Sequence, residues 1–392
     1  MNNVTISDAV KYIGVDDLDL DLFEGQYVIP HGISYNSYVI LDDKTAILDT
    51  VDARKTAEWE ESLTDALAGR TPDYLIISHL EPDHAANIQR LMTKYPCMVG
   101  VCTKKAADMF PRFFNTDLTS RLQIVGEGDT LSLGKHTLQF IMAPMVHWPE
   151  VMVTYEQSEK ILFAADAFGK FDALSSDEDW ACEARRYYFN ICGKYGAQVQ
   201  QLLKKAATLD ISTICPLHGP VLTSNLSYYI SLYDTWSSYT PENEGIFIAY
   251  CSMHGNTAEA AKLLADTISK KCQVKVAIAD LARDDMAEAI EDAFRYDRLV
   301  LAAPTYDGDV MPVMCDFLHH LKAKNYQNRK VAFIENGSWA PVSGRKMQEA
   351  MQQMKNISFV EPKVTIASTL NEESISKINM LADALTNTDK EA

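Results

Sequence analysis

The chain has 392 residues, 47% of them hydrophobic and 23% charged, an ordinary globular composition with enough apolar material for two cores. Its formal charge of −18 argues against a nucleic-acid or anionic-membrane partner, since either would need clustered lysine and arginine. No apolar run reaches the length of a spanning helix, and the opening MNNVTISDAVKYIGVDD lacks a basic start followed by an apolar stretch, so a cytoplasmic protein is expected.

The first half reads as short apolar strands that end in polar clusters. Strands are expected at YVIP (27–30), SYVIL (37–41), TAILDT (45–50), YLIIS (74–78), LQFIMA (138–143), ILFAAD (161–166) and ISTICP (211–216). Helical periodicity covers 54–68, 85–94 and 196–208. The stretch SHLEPDHAAN places His79, Glu81, Asp83 and His84 on the loop leaving the fourth of these strands, and Pro82 suits the first turn of the helix that follows. Taken alone, that loop could be a solvated turn in which Asp83 caps the helix.

Three later strand ends change the reading. LQFIMAPMVHW delivers His147, ILFAADAFG delivers Asp166, and ISTICPLHGP delivers His218. One cavity would collect all of them, because open sheets build their sites beyond the carboxyl ends of their strands. Seven candidate ligands are too many for one tetrahedral ion. They divide into two sets that share a carboxylate, with Asp166 as the bridge. Mixed imidazole and carboxylate ligation suits redox-active iron better than a zinc hydrolase site, although ligand affinity alone does not exclude zinc.

Periodicity is lost in WSSYTPENEG (236–245), a linker signal, so domains are expected at 1–240 and 246–392. After it, strands at 246–251, 274–279, 298–304, 330–335 and 363–368 alternate with helices at 256–270, 284–294, 312–322, 343–355 and the C-terminal region. The pattern is that of a five-stranded parallel α/β sheet covered on both faces. The charged end NTDKEA is expected to fray.

Three loops of this half share one sheet edge. Ser252, Met253, His254, Gly255, Asn256 and Thr257 lie between a strand and a helix, where backbone N–H groups and hydroxyls can cradle a phosphate. A simple hydroxyl-capped turn is the plainer alternative, and the absence of G-x-G-x-x-G disfavours a dinucleotide. Pro304, Thr305, Tyr306, Asp307 and Gly308 follow the third strand; Asn336, Gly337, Ser338 and Trp339 follow the fourth. No C-x-x-C pair occurs among the eight cysteines, which disfavours iron–sulfur, rubredoxin-type and zinc-ribbon sites.

The order H-x-E-x-D-H, then His, Asp and His, followed by these loops, resembles the flavodiiron proteins (A-type flavoproteins). These are relatives of the metallo-β-lactamases in which glutamate replaces the second histidine of H-x-H-x-D-H. The early segments GISYNSYVI and AILDTVD and the later APMVHWPE extend the likeness over nearly the whole chain. The resemblance implies a metallo-β-lactamase-like αββα sandwich followed by a flavodoxin-like domain.

It also implies one iron held by His79, Glu81 and His147, another held by Asp83 and His218, and Asp166 between them. At the position of His84 some members ligate iron and others turn the ring away. Tyr195 and His31 resemble pocket residues that hydrogen-bond a diatomic ligand, and Trp148 reads as a pocket wall. The second-half loops would bind FMN, with Trp339 as a stacking partner, although the commonest family loop here is G-S-Y-G-W. The implied activity is reduction of O2 to water, of NO to N2O, or both. Electrons would come from a separate donor such as rubredoxin or a reduced deazaflavin, in a head-to-tail homodimer or dimer of dimers. The rival expectations are a zinc-dependent hydrolase with an attached flavodoxin-like domain, and a simple electron carrier.

Overall fold

A computed structural model describes residues 4–387, so the frayed end expected at NTDKEA lies, apart from Asn387, outside the described residues. The chain forms two compact units that divide between Ser237 and Ser238. The helix Leu226–Ser237 ends the first unit and the strand Asn243–Tyr250 opens the second sheet, leaving 238–242 between them.

The first unit is built on two sheets packed face to face. One runs in the order Val10–Tyr12, Tyr38–Leu41, Thr45–Leu48, Tyr74–Ile76, Val99–Thr103, Leu122–Val125; the other runs Thr130–Ser132, Thr137–Met142, Met152–Glu156, Ile161–Phe163, Thr213–Cys215. Tyr38, Ile40, Ala46, Leu48, Ile76 and Val101 of the first sheet share one core with Leu138, Phe140, Met152, Phe163 and Cys215 of the second. The alternate residues Val39, Ile47 and Leu75 are buried as well, on the opposite face. Both faces are therefore covered, which is why these strands read as continuous apolar runs. Helix Thr56–Leu67 buries Trp59, Leu63 and Leu67, and helix Gly196–Ala206 buries Val199 and Leu202. The layering is αββα.

Several strands escaped the sequence reading, among them Ile33–Tyr35, Val99–Thr103, Leu122–Val125 and Met152–Glu156. The helix expected over 85–94 is split into Pro82–Ala85 and Ile88–Lys94.

Oδ2 of Asp42 accepts from the backbone N–H of His136 (2.7 Å) and pairs with its Nδ1 (2.9 Å), while His136 Nε2 faces Glu159 (3.3 Å). Burial pushes the Asp42 carboxyl up, but the hydrogen bonds from His136 prevail and hold it at about 2. Burial pushes the His136 imidazole down, and the two acids outweigh it to raise it above 6.5. The aspartate's contribution is present above its unfolded value of 3.8 and is lost as pH falls through its folded value. The histidine's contribution is complete below 6.5 and is lost as pH rises through its raised value. His136→Gln should therefore destabilise the first unit by about 1–2 kcal/mol at pH 5. The gap from wild type should narrow by pH 8.5, as read from urea midpoints; a gap that widens with pH contradicts the assignment.

The second unit has strand order Lys275–Asp280, Asn243–Tyr250, Tyr296–Tyr306, Gln327–Asn336, and then a fifth position shared by Lys355–Phe359 and Val364–Ile366, all parallel. In chain order this is 2-1-3-4-5, the flavodoxin arrangement. The fifth strand arrives in two pieces. Lys355–Phe359 pairs along Gln327–Val331 and Val364–Ile366 along Ile334–Asn336. The helix expected over 343–355 accordingly stops at Met351. Ile246, Ile248, Val300, Ala302 and Ile334 pack on helices Asn256–Lys271 and Glu372–Thr386, while Phe247, Leu299, Leu301 and Val331 are buried on the other face.

Candidate metal centre and flavin cleft

The polar ends of four segments meet in the first unit. His79 and Glu81 lie on the loop after Tyr74–Ile76, Asp83 and His84 on the helical turn Pro82–Ala85, His147 between Thr137–Met142 and Met152–Glu156, Asp166 beyond Ile161–Phe163, and His218 beyond Thr213–Cys215. The ligand atoms of His79, Glu81, His147 and Asp166 lie within 4.8 Å of one another, and those of Asp83, His84 and His218 form a second such group.

Asp166 faces both. Its Oδ2 is 3.4 Å from His79 Nε2 and 3.3 Å from His147 Nε2, whereas its Oδ1 is 3.4 Å from His84 Nε2 and 3.8 Å from His218 Nε2. Glu81 Oε2 lies 3.1 Å from His79 and 2.9 Å from His147; Asp83 Oδ2 lies 3.3 Å from His84 and 3.2 Å from His218.

Outer contacts aim these rings. His79 Nδ1 donates to Oε1 of Glu150 (2.9 Å), and His218 Nδ1 donates to the carbonyl of Ser34 (2.8 Å), leaving both Nε2 atoms turned inward. Asp49 fixes the loop by accepting from the backbone N–H of Ser78 (2.8 Å), and Thr50 Oγ1 donates to the His84 carbonyl (2.7 Å). Ala165 and Met145, just before two of the inward-facing segments, hold φ of 50° and 65°, a left-handed backbone that costs energy for a residue with a Cβ. The Trp148 ring stands edge-on to His79 at 5.0 Å, although it does not line the cavity beside Asp166.

Burial opposes every charge here and opposite neighbours reverse it. Desolvation pushes the imidazoles down, yet the surrounding carboxylates lift His84 to about 8, His147 to about 9 and His79 well above its ordinary value. Burial pushes Glu81 and Asp166 up, and the imidazoles pull both below the carboxylate range. Burial alone raises Asp49 to about 6 against its hydrogen bonds.

Both carboxylate oxygens of Asp83 and of Asp166 are buried without a hydrogen-bond partner, because the imidazole approaches at 3.2–3.8 Å are charge pairs rather than aligned hydrogen bonds. Orphaned buried anions of this kind are costly unless cations complete them. Four imidazoles and three carboxylates in two groups fit a pair of metal ions sharing Asp166.

The His31 ring is half exposed and 3.7 Å from Glu178, and Tyr195 carries Lys194 over its ring; neither lines the cavity beside Asp166. The aromatic hydroxyls against that cavity belong to Tyr187 and Tyr233, which the sequence reading missed along with Glu150. Glu150 lies three residues beyond His147 in the quoted APMVHWPE, and a carboxylate at that offset from a ligand is the signal that could have exposed it.

In the second unit, a cleft of about 390 Å³ opens beyond the carboxyl ends of the adjacent parallel strands Asn243–Tyr250 and Tyr296–Tyr306, where the strand order reverses. Ser252, Met253, His254, Asn256 and Thr257 line one end, Pro304, Thr305, Asp307 and Gly308 a second wall, and Asn336, Gly337, Ser338 and Trp339 a third. Gly255 and Tyr306 are not on its surface; Gly255, at φ +95°, makes the turn into helix Asn256–Lys271. That helix has no side-chain cap, so its first N–H groups face the cleft loop unclaimed, the arrangement a phosphate satisfies.

The loops are cross-tied. Asn336 Nδ2 donates to the Ser368 carbonyl (2.9 Å), its Oδ1 accepts from Ser368 N–H (3.0 Å), and Thr305 Oγ1 accepts from Val342 N–H (2.9 Å). Ser368 also lines the cleft and was missed, although it lies just past the last strand, Val364–Ile366, at the same edge.

A sandwich whose loops gather a two-metal ligand set, joined to a sheet of flavodoxin order with a cleft at its switch point, defines a metallo-β-lactamase-like domain followed by a flavodoxin-like domain. Residues 33–219 match the ODP family of β-lactamases and residues 247–382 match the flavodoxin domain. Together the two matches cover most of the chain, in the domain order that the flavodiiron resemblance predicts.

It is 29% identical over 374 residues to a nitric oxide reductase of Moorella thermoacetica, covering 93% of each chain. It is 28% identical over 369 residues to the anaerobic nitric oxide reductase flavorubredoxin of Shigella flexneri, covering 91% of this chain and 76% of that one. The rubredoxin oxygen:oxidoreductase of Desulfovibrio gigas superposes with a TM-score of 0.90 at 25% identity over 97% of both chains. Among the described residues no helix is long and apolar enough to cross a membrane.

Proposed function

We propose that this chain is an oxidoreductase that reduces O2 to water, NO to N2O, or both, at a diiron centre fed with electrons through FMN. The observation that carries the reading is Asp166, which turns one oxygen toward each of two separate ligand groups. His79, Glu81 and His147 would hold one iron, Asp83, His84 and His218 the other, with Asp166 shared. When bound, reduced FMN supplies two electrons and the two ferrous ions one each, enough to take O2 to two waters, while two electrons suffice to join two NO molecules into N2O. Glu150, Ser34 and Asp49 keep the ligand atoms aimed inward, and Trp148 packs edge-on against His79.

In the second unit the loop 252–257 would take the FMN phosphate, and the walls at 304–308 and 336–339 the ring. A zinc hydrolase is disfavoured by Glu81, since a carboxylate replaces an imidazole in the first ligand set. Electrons would enter from a separate rubredoxin-type donor or a reduced deazaflavin. Two copies arranged head to tail, alone or as a dimer of dimers, would pair one copy's flavin with the other's irons; a monomeric species with full activity contradicts that assembly.

The direct test reduces the purified protein chemically without air and follows O2 and NO consumption with iron and flavin quantified. Two irons, one FMN and uptake of at least one gas are expected. Active native protein holding only zinc, or no flavin, refutes the proposal.

Trp339 is 92% exposed, and an indole at a cleft rim gains by being covered with another ring. Trp339→Ala should weaken FMN binding roughly two- to tenfold, corresponding to about 0.5–1.5 kcal/mol for an aromatic pair. Titration of flavin into the stripped protein measures it, and an unchanged Kd removes Trp339 from the ring site.

A further inference from the structure

The loop that presents His218 is gripped by one stretch of chain distant from it in sequence. Ser34, Asn36 and Tyr38 occupy alternate positions between strand Ile33–Tyr35 and strand Tyr38–Leu41, so their side chains share one side of an extended segment. Ser37, between them, turns the other way and donates to the Asp49 carbonyl (2.8 Å). All three alternate residues are buried, and all three bond to residues 216–219. The Ser34 carbonyl accepts from His218 Nδ1 (2.8 Å) and its Oγ from Gly219 N–H (2.7 Å), while the Tyr38 hydroxyl donates to the Pro216 carbonyl (2.6 Å).

Asn36 makes the most of these contacts. Its backbone N–H donates to the Leu217 carbonyl (2.8 Å), and its Nδ2 donates to the carbonyls of Pro216 (2.8 Å) and Gly219 (2.7 Å). Its Oδ1 accepts from the Tyr12 hydroxyl (2.9 Å), which fixes which way the amide faces. Both amide N–H groups are therefore spent on the loop, one on each side of His218. Among side chains of this length only asparagine offers two such donors and an acceptor at once.

The two ligand groups are unequally braced. In the first, His79 is held by the Glu150 carboxylate. In the second, His84 Nδ1 is buried without a hydrogen-bond partner, so of its two rings only His218 has an outer contact at Nδ1. The place of that ring depends on the loop.

We propose that Asn36 is a positioning residue for the second metal position: by clamping residues 216–219 it keeps His218 Nε2 facing Asp83 (3.2 Å) and Asp166 (3.8 Å). The inference rests on the two-metal reading above and deepens it, because it gives one of the two ions a support that the other does not share.

Stepwise removal of iron from the loaded full-length protein by a chromogenic ferrous chelator tests the clamp without turnover. Asn36→Asp keeps the size of the side chain but offers at most one O–H, and none when ionised, where the amide offers two N–H groups. One iron should then leave at a chelator concentration at least tenfold lower than in wild type, with the other iron and the FMN held as before. Paired variants identify the position. In a His218→Ala background Asn36→Asp should add nothing to the loss, whereas with His147→Ala the two effects should add. Should Asn36→Asp fail to fold, Tyr38→Phe, which removes only the bond to Pro216, should give the same one-sided loss on a smaller scale. Equal loosening of both irons marks a general packing role and overturns the proposal. Two irons held at wild-type strength, or a loss that adds in the His218→Ala background, overturn it too. A protein whose irons separate in this way yet consumes neither gas overturns the functional reading and leaves the clamp standing.

Discussion

Asp166→Asn should empty the metal centre while leaving the flavin in place. The substitution preserves shape but replaces a carboxylate that faces four imidazoles at 3.3–3.8 Å with a neutral amide. An amide has one oxygen instead of two, so whichever way it turns, one ligand group meets an N–H₂ in place of an anion. Removing one partner from a buried set of opposite charges costs about 3–5 kcal/mol, which is on the order of a hundred- to several-thousand-fold in affinity.

Metal content should accordingly drop from two ions per chain to one or fewer, and gas consumption should fall at least a hundredfold. FMN content should stay at wild-type level, because every residue lining the flavin cleft belongs to the second unit. A simple electron carrier whose first domain only dimerises would lose nothing. Two tightly held metals and full gas uptake in the variant would refute the shared-carboxylate geometry.

The sequence exposed the ligand set well because each ligand follows an apolar strand run, and a strand that stops at a histidine or carboxylate points that group at a sheet edge. Asp166 was readable as the bridge because seven donors need dividing, yet only the positions of its two oxygens show how they divide. The five-stranded parallel sheet was legible in the regular strand–helix alternation, since a parallel strand buried on both faces is a continuous apolar word, whereas its 2-1-3-4-5 order shows only in the pairing of the strands.

What stayed hidden has physical reasons. Ile33–Tyr35 spans three residues, too few for any period to register. Val99–Thr103 contains Gly100, which weakens a strand signal, although a Cβ there would press within 2.8 Å of Leu122. Met152–Glu156 is buried throughout and includes Thr154 and Glu156, so it neither alternates nor reads as apolar; Glu156 is satisfied by the backbone N–H groups of Ser158 and Glu159. The π turn at 188–192 changes helical register without any change in composition, so Tyr187 and Cys192 could not be placed beside Asp166. His31 and Tyr195 were placed by likeness alone, and no hydrophobic period ties either to the cluster.

Glu150 gives the other large expected effect, and its size depends on what replaces it. The side chain is fully buried, and its Oε1 accepts from both His79 Nδ1 (2.9 Å) and the backbone N–H of Leu80 (3.0 Å). It thereby sets the tautomer of His79, keeps Nε2 free to bind metal, and pins the loop that carries Glu81. Glu150→Gln keeps an acceptor oxygen and loses only the charge, so metal affinity should fall toward the lower end of the roughly 10–100-fold range for such outer partners.

Glu150→Leu removes the acceptor. His79 can then place its proton on either nitrogen, and Leu80 N–H is left buried and unpaired, at a further cost of about 1–3 kcal/mol to the fold. Its metal affinity should fall by the full hundredfold or more. Chelator competition on the two variants separates the effects: a graded loss, Gln smaller than Leu, is expected. Wild-type affinity in Glu150→Leu would mean that the ring is aimed by packing against Trp148 instead, since the two rings meet edge-on at 5.0 Å.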